Sequence, residues 1–201
     1  MPTEVAEDSA YIILNHGGDS SPDSVFVYGA GTLSILVEGF ESDWVGEPNH
    51  PYGWSQITVF GENAWKRSNI SFSGNGSAIA RYSSSGGEHL LITPALDLTG
   101  GYNLKFFLDG SSSPGTDLRV QISTSDTSSV GWADLAYYVA GENMPSVWEE
   151  QIIDLSGYVG THYIAFRMED IDGYNLYLDD IQVEPAPETP VLSLGSNDIS
   201  F

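Results

Sequence analysis

The sequence predicts an all-β protein built as an antiparallel β-sandwich, and three observations carry that prediction. Apolar residues alternate with period two in stretch after stretch, while a helical period of 3.6 is almost absent. Clusters of Ser, Gly, Pro and Asn, such as Ser83–Gly87 and Ser111–Gly115, separate these stretches at short intervals. Only 17% of residues are charged, against 41% hydrophobic and 22 glycines, so the polar surface comes from turn formers and not from helix-type charge pairs.

Taken in chain order, Tyr11–Leu14 and Val25–Thr32 read as two strands around the polar turn Asn15–Asp23. In Asn103–Leu108, Leu104, Phe106 and Leu108 share one face, and Asn103 and Lys105 the other. Asp117–Ser123 repeats the pattern with Leu118, Val120 and Ile122 against Asp117, Arg119, Gln121 and Ser123. Tyr163–Met168 does so with Ile164, Phe166 and Met168. One buried and one wet face is the habit of antiparallel sheets. A short motif recurs before two strands, Leu96-Asp97-Leu98-Thr99-Gly100 and Ile153-Asp154-Leu155-Ser156-Gly157. Its Asp suits a capped turn and the Leu that follows suits a core anchor. Pro185–Pro190 reads as a stiff linker, followed by a further strand pattern at Val191–Leu194.

Charge and composition exclude several functions. The chain of 201 residues carries 28 acids against six bases, a net charge of −22. Nucleic-acid binding needs the opposite sign, and the same field repels anionic lipid. No apolar run reaches the roughly 20 residues of a membrane span, so no membrane insertion is expected. The absence of cysteine removes disulfide scaffolds and thiolate metal sites. Neither Gly-x-Ser-x-Gly nor His-Glu-x-x-His occurs, and the four histidines are scattered, so no enzyme is expected.

Residues 36–184 carry a series of short motifs in order: Phe40-Glu41-Ser42, Pro51-Tyr52-Gly53-Trp54, Trp65, Gly74-Asn75-Gly76-Ser77 and Leu91–Leu98. Leu118–Thr124, Trp148, Ile153–Gly157 and Tyr177-Leu178-Asp179-Asp180-Ile181 complete it. The series resembles the jelly-roll domains grouped as choice-of-anchor J, MAM-like and gingipain-type cleaved-adhesin domains. Residues 1–35 resemble the last hairpin of a bacterial immunoglobulin-like (Ig-like) repeat, and 185–201 a linker with the first strand of another. The resemblance implies a jelly-roll sandwich with partial Ig-like strands at both ends. It also implies a secreted or surface-attached, non-catalytic module of a bacterial protein, stabilised by calcium.

The residues themselves raise the metal question. Leu176 and Leu178 occupy even positions, whereas Ile181 and Val183 occupy odd ones, so either register turns one of Asp179 and Asp180 inward unless a bulge intervenes. An inward carboxylate needs a cation or several donors. Carboxylate and carbonyl oxygens suit Ca2+. The loop 73–77 offers Asn75, Ser77 and backbone carbonyls, with glycines that let the chain approach closely. The resemblance adds Glu41 to Asp179, with Asp180 as the alternative. Pairing of the inward Asp with Arg81, Arg119 or Arg167, or simple turn capping, is the competing expectation. Glu169–Asn175 resembles the start of an EF-hand loop without its distal Glu and reads as an acidic turn.

Trp54, Trp65 and Trp148 read as packed. Trp44, Tyr52, Trp132, Tyr137 and Tyr138 lie in polar contexts and are the candidate ligand contacts. The expected function is adhesion or structural binding of a glycan or protein at a cell or matrix surface. A carbohydrate-binding module accessory to a secreted hydrolase is the second expectation. The third is a filament subunit whose terminal strands pair with copies of itself.

Overall fold

A computed structural model describes residues 7–14, 23–30, 34–126 and 128–187. β1 (Glu7–Leu14) and β2 (Asp23–Ala30) pair antiparallel as a two-stranded sheet of their own. The expected hairpin is therefore present. The strand expected at Val191–Leu194 lies outside the described residues.

The remaining strands form two antiparallel sheets. In chain order they are β3 (Leu36–Glu38), β4 (Ser55–Phe60), β5 (Lys66–Ser68), β6 (Ser77–Ala80), β7 (Gly87–Ile92) and β8 (Leu96–Asp97). Then come β9 (Tyr102–Asp109), β10 (Thr116–Ser123), β11 (Ala133–Tyr138), β12 (Glu149–Asp154), β13 (Thr161–Asp170) and β14 (Leu176–Pro185). One sheet runs β12-β9-β14-β6-β5, with β3 also on β14; the other runs β11-β10-β13-β7-β4, with β8 also on β13. We call them the β9 sheet and the β10 sheet.

The alternating stretches place their apolar faces as the sequence predicts. Leu104, Phe106 and Leu108 meet Leu118, Val120, Ile164, Phe166 and Met168 across the sandwich, all buried. Phe106 and Phe166 pack edge to face with centroids 5.3 Å apart, and Trp54 stacks on Phe166 at 6.5 Å. Trp65 is buried and donates its indole N–H to the His89 carbonyl at 3.2 Å. In both repeats of the short motif the Leu after the Asp (Leu98, Leu155) is buried. The Asp carboxylate accepts a backbone N–H two residues on, from Thr99 at 3.0 Å and from Ser156 at 2.7 Å. These bonds, with the Thr99 and Ser156 hydroxyls first, hold both acids below the ordinary carboxylate range.

β14 resolves the packing conflict between its two halves. Asp180 has φ +46°, and pairing with β9 shifts register between Asp179 and Gln182. This bulge flips the alternation, so Leu176, Leu178, Ile181 and Val183 all enter the core. Neither carboxylate points into the sandwich interior. Asp179 pairs with Phe107 and shares its outward face, yet it is fully buried because the loop before β6 folds over it.

Candidate functional site: two loop and sheet clusters

Two constellations stand out, one at the loop over β14 and one on the outer face of the β10 sheet. The first is built from Glu41, Arg67, Asp179 and the loop 72–76. Asp179 Oδ2 accepts the N–H of Phe72 at 2.8 Å and of Ser73 at 3.1 Å, and Oδ1 that of Asp180 at 2.8 Å. Glu41 grips the other end of the loop, accepting the Asn75 N–H at 3.0 and 2.9 Å and the Gly76 N–H at 3.3 Å. Arg67 closes the cluster through carbonyls, donating to Phe40 O at 2.7 Å, Glu41 O at 3.0 Å and Asn75 O at 3.3 Å. Ser77 donates its hydroxyl to Ile70 O at 2.5 Å, and Phe72 stacks on Phe107 with centroids 3.6 Å apart.

The loop can lie this close because it lacks side chains at two points. A Cβ on Gly74 (φ +58°) would run into the Glu41 carboxylate, and one on Gly76 into the Phe40 carbonyl, with the Arg67 guanidinium 2.8 Å away. Gly76→Ala should therefore cost at least about 2 kcal/mol, as overpacking against fixed backbone does. Urea unfolding followed by tryptophan fluorescence measures it, and a change below 0.5 kcal/mol (roughly the scatter of surface substitutions) would show that the loop yields freely.

Asp179 accepts N–H groups of a distant loop and of Asp180, and no arginine pairs with it among the described residues. Burial raises its carboxyl above the ordinary range despite the three N–H donors, and burial likewise raises Glu38. Asp180, at the bulge, brings Oδ1 to 3.3 Å from where a Cβ on Gly39 would stand. The side-chain acceptors here are carboxylate oxygens, the atom type a hard cation takes. No three His, Asp or Glu side chains stand together as metal ligands among the described residues, so an ion here would draw on carbonyls and water as well.

Of the second constellation the sequence singles out only Tyr137 as a candidate ligand contact. Register across the β10 sheet sets Asp117, Glu169 and Glu88 in one row, and Tyr137, Arg119 and Arg167 in the next. The rows are laced together. Arg119 donates to Glu169 at 2.9 Å and to Asp134 at 2.6 Å. Arg167 donates to Glu88 at 2.7 Å, to Gln121 at 3.3 Å and to Ser129 O at 3.1 Å. The Arg119 guanidinium lies 3.8 Å from the centre of the Tyr137 ring, and the Tyr137 hydroxyl donates to Asp117 Oδ2 at 2.7 Å. That bond and burial push the phenol up to about 12, so it stays a donor. Tyr137 is therefore clamped by its edge and by one face, while 37% of it remains exposed. It borders a cavity of about 640 Å³ whose wall also includes Asp117, Gly141, Glu142, Glu169 and Ile171.

The other aromatic candidates go elsewhere. Trp44 is buried against Phe40 with centroids 5.9 Å apart, so its polar sequence context did not keep it at the surface. Tyr138 alternates with Tyr137, faces inward and packs edge-on to Phe106 at 6.2 Å. Trp132 is half-buried over Leu90, Ile92 and Ala165 and donates its N–H to Ser128 O at 2.7 Å. Tyr52 is 88% exposed on a separate turn. No coplanar platform forms from Trp44, Trp132, Tyr137 and Tyr138. Nothing in the sequence groups Asp117, Arg119 and Glu169 with Tyr137, because a single strand does not reveal which residues its neighbours place beside it. In the acidic turn after β13, Asp170 is spent on structure, accepting Thr116 Oγ1 at 2.8 Å and the Gly173 N–H at 3.0 Å.

Fold and sites together define a two-sheet jelly-roll module with a loop-pinned end and an outward polar face. Residues 35–183 match the family model of the Cleaved Adhesin Domain, and the chain belongs to that family. Among solved structures it is similar to the K1 cleaved adhesin domain of Lys-gingipain from Porphyromonas gingivalis. That match has 23% identity and a TM-score of 0.61, covering 76% of this chain and 98% of that one. The K3 domain of the same protein matches at 22% identity and TM-score 0.62, covering 77% and 100%. TmCBM61, solved in complex with β-1,4-galactotriose, matches at 13% identity and TM-score 0.52, covering 72% and 99%. A comparison with curated proteins found no match. These likenesses concern the sandwich; none identifies the flanking segments as Ig-like.

Proposed function

We propose that the chain is a non-catalytic adhesion module working outside the cell, and that it binds a neutral oligosaccharide on the Tyr137 face of the β10 sheet. The observation that carries this reading is the clamped, part-exposed Tyr137 ring beside a cavity walled by carboxylates. A tyrosine fixed at both its edge and one face offers a flat apolar surface at little entropic cost. Asp117, Glu142 and Glu169 accept hydrogen bonds from sugar hydroxyls, and their charge turns acidic sugars away. The shared fold with a carbohydrate-binding module supports the same class of ligand. Screening a glycan array with wild type and Tyr137→Ala tests it: hits on neutral glycans lost in the variant support the reading, and hits that persist unchanged refute it.

Calcium belongs to the same proposal. Glu41, Asp179 and Asp180, with the Asn75 side-chain amide oxygen, Ser77 and those carbonyls of loop 73–77 that Arg67 leaves free, are the residues that would hold it. The support is a charge imbalance. Arg67 spends its donors on carbonyls, and no ion pair reaches Glu38, Glu41, Asp179 or Asp180 among the described residues. Binding at about 100 times Kd adds about 2.7 kcal/mol, which moves the melting midpoint by roughly 5–10 °C in a domain of this size. Calcium against chelator in a thermal melt reads this directly, and Glu41→Gln with Asp179→Asn should erase the difference.

The sign of the pH effect separates the two states. Asp179 and Glu38 have raised folded pKa values, so their contribution to stability is greatest below the ordinary carboxylate pKa and declines as pH rises through the raised values. Without calcium, wild type should lose stability relative to Asp179→Asn across that interval. Calcium favours the ionised form and should flatten or reverse the trend. Identical curves with and without calcium would remove the ion from the account.

A further inference from the structure

The opposite face of the sandwich carries a second cavity of different chemistry. It holds about 490 Å³ on the outer side of the β9 sheet, where Ile79 and Tyr177 are register partners on β6 and β14. Its wall includes Asn63, Asn69, Asn175, Arg81, Tyr82 and Tyr177, with no Asp or Glu among its lining residues. In a chain of net charge −22 a carboxylate-free hollow is a local reversal of sign.

Arg81 makes that reversal specific. The other three arginines are engaged, Arg67 by carbonyls and Arg119 and Arg167 by carboxylates. Arg81 makes no ion pair or hydrogen bond among the described residues. The frame around it is built. Asn63 donates its amide to Tyr82 O at 2.8 Å, and Asn175 Oδ1 accepts the Tyr82 N–H at 3.3 Å, so the Tyr82 backbone is held between two carboxamides. Those bonds leave the Asn175 amide N–H groups and the Asn63 carbonyl oxygen for a ligand. Tyr82 is 47% exposed and Tyr177 part-exposed.

We propose that this cavity is a second binding site, for a carboxylate-bearing sugar residue of an acidic polysaccharide. A planar guanidinium takes a carboxylate through two parallel hydrogen bonds. Carboxamides of both polarities match ring hydroxyls, and tyrosines match the apolar ring face. The two faces would then sort sugars by charge, neutral at Tyr137 and acidic at Arg81. The choice of a sugar as ligand rests on the glycan-binding reading above; the choice of a carboxylate rests on Arg81 alone.

The test is calorimetry on the whole chain at physiological salt, with tetragalacturonate, tetramannuronate and sialyllactose, each beside its methyl ester. Hexaglutamate serves as an acidic non-sugar. Arg81 has no partner to lose among the described residues, so Arg81→Gln should fold as wild type does, as circular dichroism will check. At least one acidic sugar should bind, and weaken about tenfold or more both on esterification and in Arg81→Gln. Tyr137→Ala should leave that binding intact, so failure of the first site does not imitate failure of the second. Equal affinity for acid and ester, an unchanged Arg81→Gln, binding of hexaglutamate instead, or no binding of any acidic sugar would each overturn the assignment.

Discussion

Asp179→Ala should lower the unfolding free energy by about 2–4 kcal/mol, the largest single loss expected in the loop cluster. Three backbone N–H groups lose their acceptor at once, those of Phe72, Ser73 and Asp180. Hydrogen bonds to a charged group contribute roughly 1.5–3 kcal/mol each, and abandoned buried donors cost a comparable amount. The sum falls short of simple addition because Phe72 and Ser73 are themselves exposed, so water can reach their N–H groups once the loop lifts. A lifted loop also uncovers Phe107, which Phe72 now shields by stacking. Asp179→Asn keeps one acceptor oxygen and should cost about half as much. Denaturant titration measures both, and a loss below about 1 kcal/mol for the alanine variant would mean that the loop is held by Glu41 and Arg67 without Asp179.

Tyr137→Ala should weaken binding of a neutral oligosaccharide about 30-fold or more, with the midpoint of thermal unfolding changed little. Central aromatic anchors account for about 2 kcal/mol or more of a binding free energy, which corresponds to that factor. Stability should barely respond because the ring lies on the outer face of an edge strand, 37% exposed and outside the core. Tyr137→Phe separates the two attachments of the ring. It removes the hydroxyl donated to Asp117 and keeps the contact with Arg119. An intermediate loss, about three- to tenfold, is expected if the hydroxyl chiefly positions the ring.

The sequence made the sandwich legible where one strand face is wet. β9, β10 and β13 were read from alternation, and their inward residues are the core. β7 was not readable that way. His89, Leu90, Leu91 and Ile92 are all buried, because Leu90 and Ile92 lie under Trp132 and Tyr163 on the outer side, so alternation vanishes. β6 is likewise buried at every position. The parity conflict in β14 pointed correctly to a special feature at Asp179–Asp180, and the bulge was among the foreseen solutions. That Asp179 would be buried beneath a loop more than 100 residues away, and not within the core, depends on tertiary contacts that local pattern cannot encode. Arg67 gives no signal in the sequence, and Arg81 enters it only as a possible partner for the inward Asp, for the same reason. Their importance comes from what they face, carbonyls in one case and a carboxylate-free hollow in the other.

The charge distribution ties the parts together. Three of the six Lys and Arg residues of this acidic chain sit between carboxylates: Lys105 between Glu150 and Glu184, Arg119 between Asp134 and Glu169, and Arg167 against Glu88. The more exposed of these pairs add little stability, but on the β10 sheet the part-buried ones fix side chains in place around Tyr137. Rigid placement is what a weak, hydroxyl-rich ligand requires, since each ordered side chain left to freeze on binding would subtract from a small free energy.

The most direct measurement is a protein-observed NMR titration of the labelled whole chain with neutral oligosaccharides, β-1,4-galactotriose among them. The account predicts that a bound sugar shifts the backbone signals of Asp117, Tyr137, Ala140 and Gly141, and that Tyr137→Ala abolishes those shifts. A panel that leaves these residues unmoved, or that moves only residues on other faces of the sandwich, would contradict it.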